Sequence, residues 1–173
     1  MQPDLKDLIR SIPDFPKQGI LFRDVTTLLK DKRGFKQAIQ CLAARFRNAG
    51  VDKIVCIEAR GFILGGALAY ELGSGVVVIR KPGKLPSETV SQTYQLEYGS
   101  DRIEIHKDAL DKGDRVLLVD DLLATGGTAR AAADLVERLN GTIVGCAFLV
   151  ELGDLKGRSL LEKYEVFSLI MYD

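Results

Sequence analysis

Two adjacent acids, Asp120 and Asp121, follow an apolar run in the segment RVLLVDDLLATGGTARAAADLV. A loop of small residues, Ala124 to Thr128, comes next and leads into an alanine-rich stretch with helical spacing. Small residues let backbone amides approach a ligand closely, and the amides at a helix N-terminus favour an anion. The loop therefore predicts a phosphate site, to which the threonine hydroxyls could add hydrogen bonds.

The two acids would repel a phosphate, so they are expected to face a different group. Ribose hydroxyls and a hydrated divalent cation are both suitable partners for paired carboxylates. A ligand with a phosphate at one end and a sugar diol next to it would match both parts of the motif. The purely structural alternative is an acid pair at a strand end that caps a nearby helix. The loop is neither a Walker A sequence nor a GxGxxG sequence.

Short apolar runs alternate with segments of helical spacing along most of the chain. Strands are predicted at 54–57, in GVVVI, and at 116–119, 143–150 and 166–171, and helices at 4–12, 34–49, 62–72 and 128–139. The segment TYQLEYGSDRIEIHK alternates, which predicts an antiparallel hairpin or flexible flap. Together these elements predict an α/β fold with a mainly parallel central sheet flanked by helices.

Polar clusters follow several of the predicted strands directly. Glu58-Ala59-Arg60 follows one strand, Arg80-Lys81 follows the next, and the acid pair with its loop follows a third. In parallel sheets, ligands bind beyond the carboxyl ends of the strands. We therefore expect these three clusters to form one site.

Composition narrows the class of protein. The chain has 173 residues, enough for one domain, and 24 Lys plus Arg balance 24 Asp plus Glu, which does not support broad binding to nucleic acid or an anionic membrane. Cys41, Cys56 and Cys146 lie far apart in apolar surroundings, so buried free thiols are expected. No 18-residue apolar run and no signal-like N-terminus occur, which favours a cytoplasmic protein.

The segment VLLVDDLLATGGTA resembles the 5-phosphoribosyl 1-diphosphate (PRPP) binding motif of type I phosphoribosyltransferases. The segments IPDFPKQGILFRDVTTLL, IEARGFILGGALAYELG, VIRKPGKLP, YQLEYGSDRIEIHKDAL and LVELGDLKGR are similar to those of the adenine phosphoribosyltransferase family, over nearly the whole chain. The resemblance implies conversion of adenine and PRPP into AMP and pyrophosphate with Mg²⁺. It also implies one domain, 1–173, with a small N-terminal hood at about 1–33 and a flexible flap at about 84–106.

The resemblance assigns the phosphate and sugar contacts. It places the 5′-phosphate on Ala124, Thr125, Gly126, Gly127 and Thr128. Asp120 and Asp121 would hold the ribose hydroxyls directly or through water on Mg²⁺, so that no protein group binds the metal directly. Pyrophosphate would be bound by the two basic turns, through Ala59, Arg60, Arg80, Lys81 and Lys84. The first of these turns often contains a non-proline cis peptide bond in the family. The alternative for the second turn is a solvated strand end.

The resemblance also assigns the base site. Leu21, Phe22 and Arg23 would contact adenine, with Leu152 packing on the purine from the other side. Without the resemblance, core packing is the simpler reading of the first two. Glu97 would handle a proton at adenine N7, donating it as a carboxylic acid, and Tyr98 would help to close the flap.

Several alternatives remain open at this point. A phosphoribosyltransferase for a 6-oxopurine would share the phosphate and ribose sites, and a non-catalytic PRPP-binding regulator would share the loop. His106, the only histidine, alternates with apolar residues and is expected on the solvent side of a strand, without a catalytic role. By resemblance the protein is expected to be a homodimer, although no interface patch is evident in the sequence.

Overall fold

The computed structural model describes residues 4–95 and 99–173. In chain order, the elements are β1 (Arg10–Pro13), β2 (Leu21–Asp24), α1 (Thr26–Lys30), α2 (Lys32–Phe46), β3 (Lys53–Ile57), α3 (Arg60–Leu72), β4 (Gly75–Ile79), β5 (Thr89–Gln95), β6 (Ser100–His106), β7 (Arg115–Leu123), α4 (Gly127–Arg138), β8 (Thr142–Leu152) and β9 (Val166–Tyr172). Short 3₁₀ helices cover Gly153–Leu155 and Gly157–Leu161. The predicted strands and all but the first predicted helix are confirmed, with shifted ends.

A five-stranded sheet of order β4-β3-β7-β8-β9 forms the centre, and every adjacent pair is parallel. Alternate residues of β7 face opposite sides: Leu117 and Val119 join the core with α2 and α3, whereas Val116 and Leu118 join the core with α4. These side chains are completely buried. The predicted α/β fold is therefore confirmed, and its two apolar cores hold the site-forming strands in fixed register.

The helix predicted over 4–12 is wrong. Turns occupy its first part, and the strand β1 begins at Arg10 and pairs antiparallel with β2. Leu5 and Ile9 are buried as the apolar pattern required, but one backbone cannot satisfy both helical and ladder hydrogen bonds. Pairing with β2 determines the outcome, and Pro13, which lacks an amide hydrogen, closes the strand.

Two further expectations need correction. The strand predicted at 116–119 continues to Leu123, so both acids lie within β7 and not after it. Cys56 and Cys146 are buried free thiols, and burial raises the pKa of each to about 12, but Cys41 is exposed. It lies outside the buried stripe of α2 that Ala38 and Leu42 define.

Two antiparallel hairpins extend from the sheet. The pair β1–β2 forms one, and β5–β6 forms the other, which confirms the predicted hairpin. Ile103 and Ile105 of β6 are buried in the core beneath α4, so the lower part of this hairpin is anchored. Among the described residues, no helix combines the length and hydropathy that a membrane crossing requires.

Candidate functional site

The loop between β7 and α4 forms a small cavity. Residues 122–129 line it together with Asp120, and its volume is about 80 Å³. Gly126 has φ +83°, a left-handed conformation that a residue with a side chain adopts only at a cost, and it turns the chain into α4. The amides of the first helical turn have no carbonyl partner within the helix, and the helix dipole adds positive potential there. The residues predicted to bind phosphate are thus brought together around a cavity suited to an anion.

The paired acids occupy different environments. Asp121 is buried and forms an ion pair with Arg60, the first residue of α3. Burial raises the pKa of Asp120 well above its usual value, and the neighbouring charge of Asp121 raises it further. A Cβ on Gly61 would lie 2.9 Å from Asp120 Oδ1, so a glycine at this position is what lets α3 approach the acid. Asp121 and Arg60, the first base of the predicted pyrophosphate site, therefore lie in contact at the carboxyl end of the sheet.

The second group of bases surrounds Glu58, at the end of β3. The Arg80 Nε lies 3.0 Å from one carboxylate oxygen of Glu58, and the Lys84 Nζ lies 3.2 Å from the other. Burial would raise the pKa of Glu58, but the hydrogen bonds from Arg80, the Lys81 backbone and Lys84 together outweigh it, and the pKa is lowered. The Glu58–Ala59 peptide bond is cis, as the resemblance implied. Arg80 and Lys84 thus lie next to the start of α3, where Ala59 precedes Arg60.

Lys81 has a different partner. It forms an ion pair with Asp101 of β6, and its Nζ lies 3.4 Å from the Tyr94 hydroxyl of β5. The Tyr94 hydroxyl in turn donates to Asp101, at 3.2 Å. This cluster joins the turn after β4 to both strands of the hairpin.

The hairpin also reaches the phosphate loop. A Cβ on Gly127 would lie 3.3 Å from the carbonyl oxygen of Gln95, the last residue of β5. Glu97 and Tyr98, predicted to act from the flap, lie outside the described residues. The strand that leads to them ends against the start of α4. His106 lies at the other end of the hairpin, where its Nε2 accepts a hydrogen bond from the Ser87 amide at 3.4 Å.

The predicted base-contacting residues lie on β2 and at the end of β8. Leu21 is 47% exposed, so it does not pack in the core. Phe22 is half-buried, and its ring packs edge-on against that of Phe15, with 5.1 Å between the ring centres. The Arg23 guanidinium stacks 3.9 Å from the Tyr172 ring centre, and Tyr172 pairs with Leu152 in the β8–β9 ladder. The β1–β2 hairpin is thereby connected to the strand end that carries Leu152.

Sequence patterns missed several residues that shape the site. Asp24 is buried and forms an ion pair with Arg10, which holds the β1–β2 hairpin together. Asp101 holds Lys81, and Gly157 supports the phosphate loop from behind. None of them belongs to a motif with a chemical rationale, so no local signal identifies them. Their positions follow from contacts between distant parts of the chain.

Within residues 4–95 and 99–173, no group of three or more histidine, cysteine, aspartate or glutamate side chains is arranged to hold a metal ion. Asp120 and Asp121 supply oxygen atoms of the type that Mg²⁺ prefers, but Asp121 is already paired with Arg60. A magnesium ion held mainly by ligand phosphates would fit these residues.

Comparison with known proteins places the chain in a family. Residues 24–173 match the phosphoribosyl transferase domain. An adenine phosphoribosyltransferase of Geobacter metallireducens is 58% identical over 169 residues, which cover 98% of this chain and 99% of the relative. The aligned region therefore includes both hairpins and the central sheet.

Solved structures agree with this placement. The adenine phosphoribosyltransferase of Thermoanaerobacter pseudethanolicus has a TM-score of 0.95 and 54% identity, covering 97% of this chain and 98% of that one. The Saccharomyces cerevisiae enzyme, crystallised with adenine and an imino-altritol bisphosphate, has a TM-score of 0.90 and 44% identity, covering 95% and 96%. With its acid pair, phosphate loop and basic turns at one edge of a parallel sheet, the chain belongs to the adenine phosphoribosyltransferase family of phosphoribosyl transferases.

Proposed function

We propose that this protein transfers the 5-phosphoribosyl group of PRPP to adenine, giving AMP and pyrophosphate. The observation that carries the proposal is the cavity at the end of β7, which a loop of small residues at the start of α4 lines together with Asp120, the neighbour of Asp121. A sugar phosphate matches this arrangement because its phosphate needs hydrogen-bond donors and its diol needs acceptors. High identity to enzymes named for adenine supports the choice of base.

In this proposal the loop, Ala124 to Thr128, binds the 5′-phosphate through backbone amides and the two threonine hydroxyls. Asp120 and Asp121 accept hydrogen bonds from the ribose hydroxyls. Burial and the neighbouring charge of Asp121 raise the pKa of Asp120, so the two carboxyls differ in how tightly they bind a proton. The sugar is thereby held with its anomeric carbon pointing towards the basic turns.

Pyrophosphate leaves from the anomeric carbon towards Arg60, Arg80, Lys81 and Lys84. Each of these bases is already paired with an acid of the protein, so pyrophosphate must compete with Asp121, Glu58 and Asp101 for them. Charge that develops on the leaving group strengthens these contacts in the transition state, which is what catalysis requires. Bound Mg²⁺ would neutralise further negative charge on the pyrophosphate oxygens.

Adenine is proposed to lie between the β1–β2 hairpin and Leu152, with Leu21, Phe22 and Arg23 contacting it. The bond from adenine N9 to the anomeric carbon forms as the bond to pyrophosphate breaks, and neutral adenine must lose its imidazole proton. If that proton is on N7, Glu97 accepts it as a carboxylate in this direction and donates it in reverse. Proton balance therefore modifies the donor role expected from the sequence. Tyr98 would help to exclude water.

We also propose that the chain is one domain with a hood at 1–33 and a flap at 84–106, in a cytoplasmic protein. A homodimer is favoured by an exposed apolar face of α3 and β4, on which Ile63, Tyr70 and Val76 are 50%, 91% and 48% exposed. Light scattering on the purified chain tests this, and a monomer at micromolar concentration would contradict it.

The test of function is AMP formation from adenine and PRPP, measured with and without Mg²⁺. Adenine is expected to be consumed, and hypoxanthine, guanine and xanthine are expected not to compete. Turnover of a 6-oxopurine without turnover of adenine would overturn the assignment of the base. Binding of PRPP without turnover of any purine would favour a regulator.

A further inference from the structure

The phosphate loop is supported from behind by a second backbone segment. A Cβ on Gly126 would lie 2.3 Å from the carbonyl oxygen of Gly157, and a Cβ on Gly157 would lie 2.1 Å from the carbonyl oxygen of Ala124. Neither distance leaves room for a methyl group. The loop and the 3₁₀ helix Gly157–Leu161 are therefore in direct backbone contact, and the position of one determines the position of the other.

An ion pair holds that 3₁₀ helix in place. Arg158 donates from Nε to Glu151 Oε1 at 3.0 Å and from Nη2 to Glu151 Oε2 at 2.6 Å, a bidentate arrangement. Its Nη1 also donates to the carbonyl oxygen of Val166 at 2.8 Å, and the Ser168 hydroxyl donates to Glu151. These contacts join the 3₁₀ helix to β8 and β9. They form a connected cluster that the mechanism does not otherwise use.

Glu151 is the fixed point of this cluster. Only 4% of the residue is exposed, and it pairs with Leu123, the last residue of β7 before the phosphate loop. Burial would raise the pKa of Glu151, but the hydrogen bonds from Arg158 and Ser168 outweigh it, so the pKa is lowered and the carboxylate stays charged. The loop is therefore tied to Glu151 on both sides, by the β-ladder at Leu123 and by Arg158 through Gly157.

We propose that Arg158, acting through Glu151 and Gly157, is a positioning residue for the 5′-phosphate loop. Arg158 is not expected to touch substrate, and its role is to keep Gly157 packed against the Ala124 carbonyl and the Gly126 backbone, so that the loop amides point into the cavity. The inference rests on the proposed function, since it concerns the same phosphate site. It predicts a defect confined to the phosphate-bearing substrate.

The main test is Arg158→Gln with separate saturation curves for PRPP and adenine. Because small displacements of binding groups have large kinetic effects, the KM for PRPP is expected to rise about 10- to 100-fold, with the KM for adenine changed less than about threefold. A merely structural role would lower the melting temperature and the active fraction without separating the two KM values.

Two further variants should raise the KM for PRPP by smaller amounts. Arg158→Lys keeps the charge but loses the bidentate geometry, so an intermediate KM for PRPP is expected. Ser168→Ala removes one hydrogen bond to Glu151 and should give the smallest shift. If Arg158→Gln does not fold, these two milder variants must still show the selective rise. Equal changes in both KM values would overturn the inference.

Arg45→Gln is the matched control. It also removes an arginine–glutamate ion pair, with Glu165, but this pair lies at the end of α2 and has no contact with the loop. Both KM values are expected to stay within about twofold of the starting protein. A selective rise for PRPP in this control would show that the kinetic separation is not specific to Arg158.

Direct binding of ribose 5-phosphate by calorimetry separates this inference from the proposed function. The starting protein should bind it, and Arg158→Gln should bind it about 10-fold or more weakly. If the starting protein neither binds it nor makes AMP, the proposed function fails. If it does both and Arg158→Gln binds ribose 5-phosphate equally well, the function stands and the positioning role is wrong.

Discussion

The regions proposed to bind the phosphate and the base, called here the phosphate side and the base side, are built in different ways. The phosphate loop leaves a strand whose residues Leu118 and Val119 are completely buried, and it enters a helix whose Ala132 is also completely buried. The β1–β2 hairpin on the base side has large exposed side chains, with Phe15 at 50% and Leu21 at 47%. We therefore expect the buried contacts on the phosphate side to serve both stability and binding. On the base side, the exposed side chains expected to bind contribute little to stability.

This difference has a physical origin. Backbone amides recognise a phosphate well only when they are already oriented, and a packed core supplies that orientation. The proposed base site needs exposed side chains to contact the flat faces of a purine, and the hairpin has such side chains, held by local polar contacts. These include the Arg10–Asp24 ion pair and the stacking of Arg23 on Tyr172. Substitutions on the two sides should therefore differ in whether stability changes together with activity.

The largest effect is expected for Asp121→Asn. This change removes a carboxylate proposed to bind ribose and leaves Arg60 without its partner. Loss of a charged hydrogen-bonding group at a reacting sugar corresponds to about 3–4 kcal/mol, so kcat/KM for PRPP should fall about 10²- to 10³-fold. Steady-state kinetics measure the change. Asp134→Asn, which removes an ion pair with Arg130 on α4, is the control and should stay within about threefold.

Gly126→Ala should have the next largest effect, on stability and PRPP binding together. The added methyl group would lie 2.3 Å from the Gly157 carbonyl, and the residue would keep an unfavourable positive φ. We expect a loss of about 2–3 kcal/mol in the free energy of unfolding, measured with urea, and a KM for PRPP raised about 10-fold or more.

Gly113→Ala separates the two causes of that loss. Gly113 has φ +88° but has no atom within 4 Å of an added Cβ. It should therefore lose only about 1 kcal/mol, from backbone strain. An equal loss in the two variants would mean that packing between the loop and Gly157 contributes nothing.

Acid should weaken the base side through Asp24. Hydrogen bonds from Thr26 and then Arg10 lower the pKa of Asp24 from 3.8 to about 2. The charged form is therefore favoured by folding, and its contribution is present above about pH 4 and is lost as the pH falls towards 2. Since a pKa unit corresponds to about 1.4 kcal/mol, the shift from 3.8 to about 2 corresponds to a contribution of about 2.5 kcal/mol.

Urea unfolding at pH 7 and near pH 2.5 tests this contribution. Asp24→Asn should be less stable than the starting protein at pH 7 and close to it at the lower pH. Glu88→Gln is the control because Glu88 pairs with Lys107 at a fully exposed position, where little stability is expected. A constant difference for Asp24→Asn at both pH values would contradict the assignment.

The smallest effect on stability is expected for Leu21→Ala. The side chain is nearly half exposed, so the melting temperature should change by less than about 2 °C, while the KM for adenine rises about three- to tenfold. The same substitution at Leu123, which is 1% exposed, should cost about 2–5 kcal/mol of unfolding free energy. Thermal melts and kinetics on both variants compare the two sides directly. A large melting shift in Leu21→Ala would remove the distinction between them.

Much of the central domain was predictable from local sequence. The apolar runs around Val55 and Leu118 predict buried parallel strands, because residues covered on both faces are apolar without alternation. The glycine loop predicts an anion site because its chemistry is contained in a few adjacent residues. The N-terminal hairpin was mispredicted because the spacing of Leu5, Leu8 and Ile9 fits a helix. The backbone instead pairs with a later strand, Ser11 with Arg23 and Arg10 with Asp24, which are 12 and 14 residues away.

The sequence by itself determined the class of fold, the glycine loop proposed to bind phosphate, and the order in which basic and acidic clusters follow the strands. Only the tertiary structure decided which acid each base contacts, that β7 carries its acids inside the strand, and that Gly157 packs against the loop while Arg158 pairs with Glu151. The reason is the range of the interactions. Side-chain periodicity and glycine conformation act over a few residues, whereas ion pairs and close backbone contacts join residues whose separation in the chain carries no signal of their distance in space.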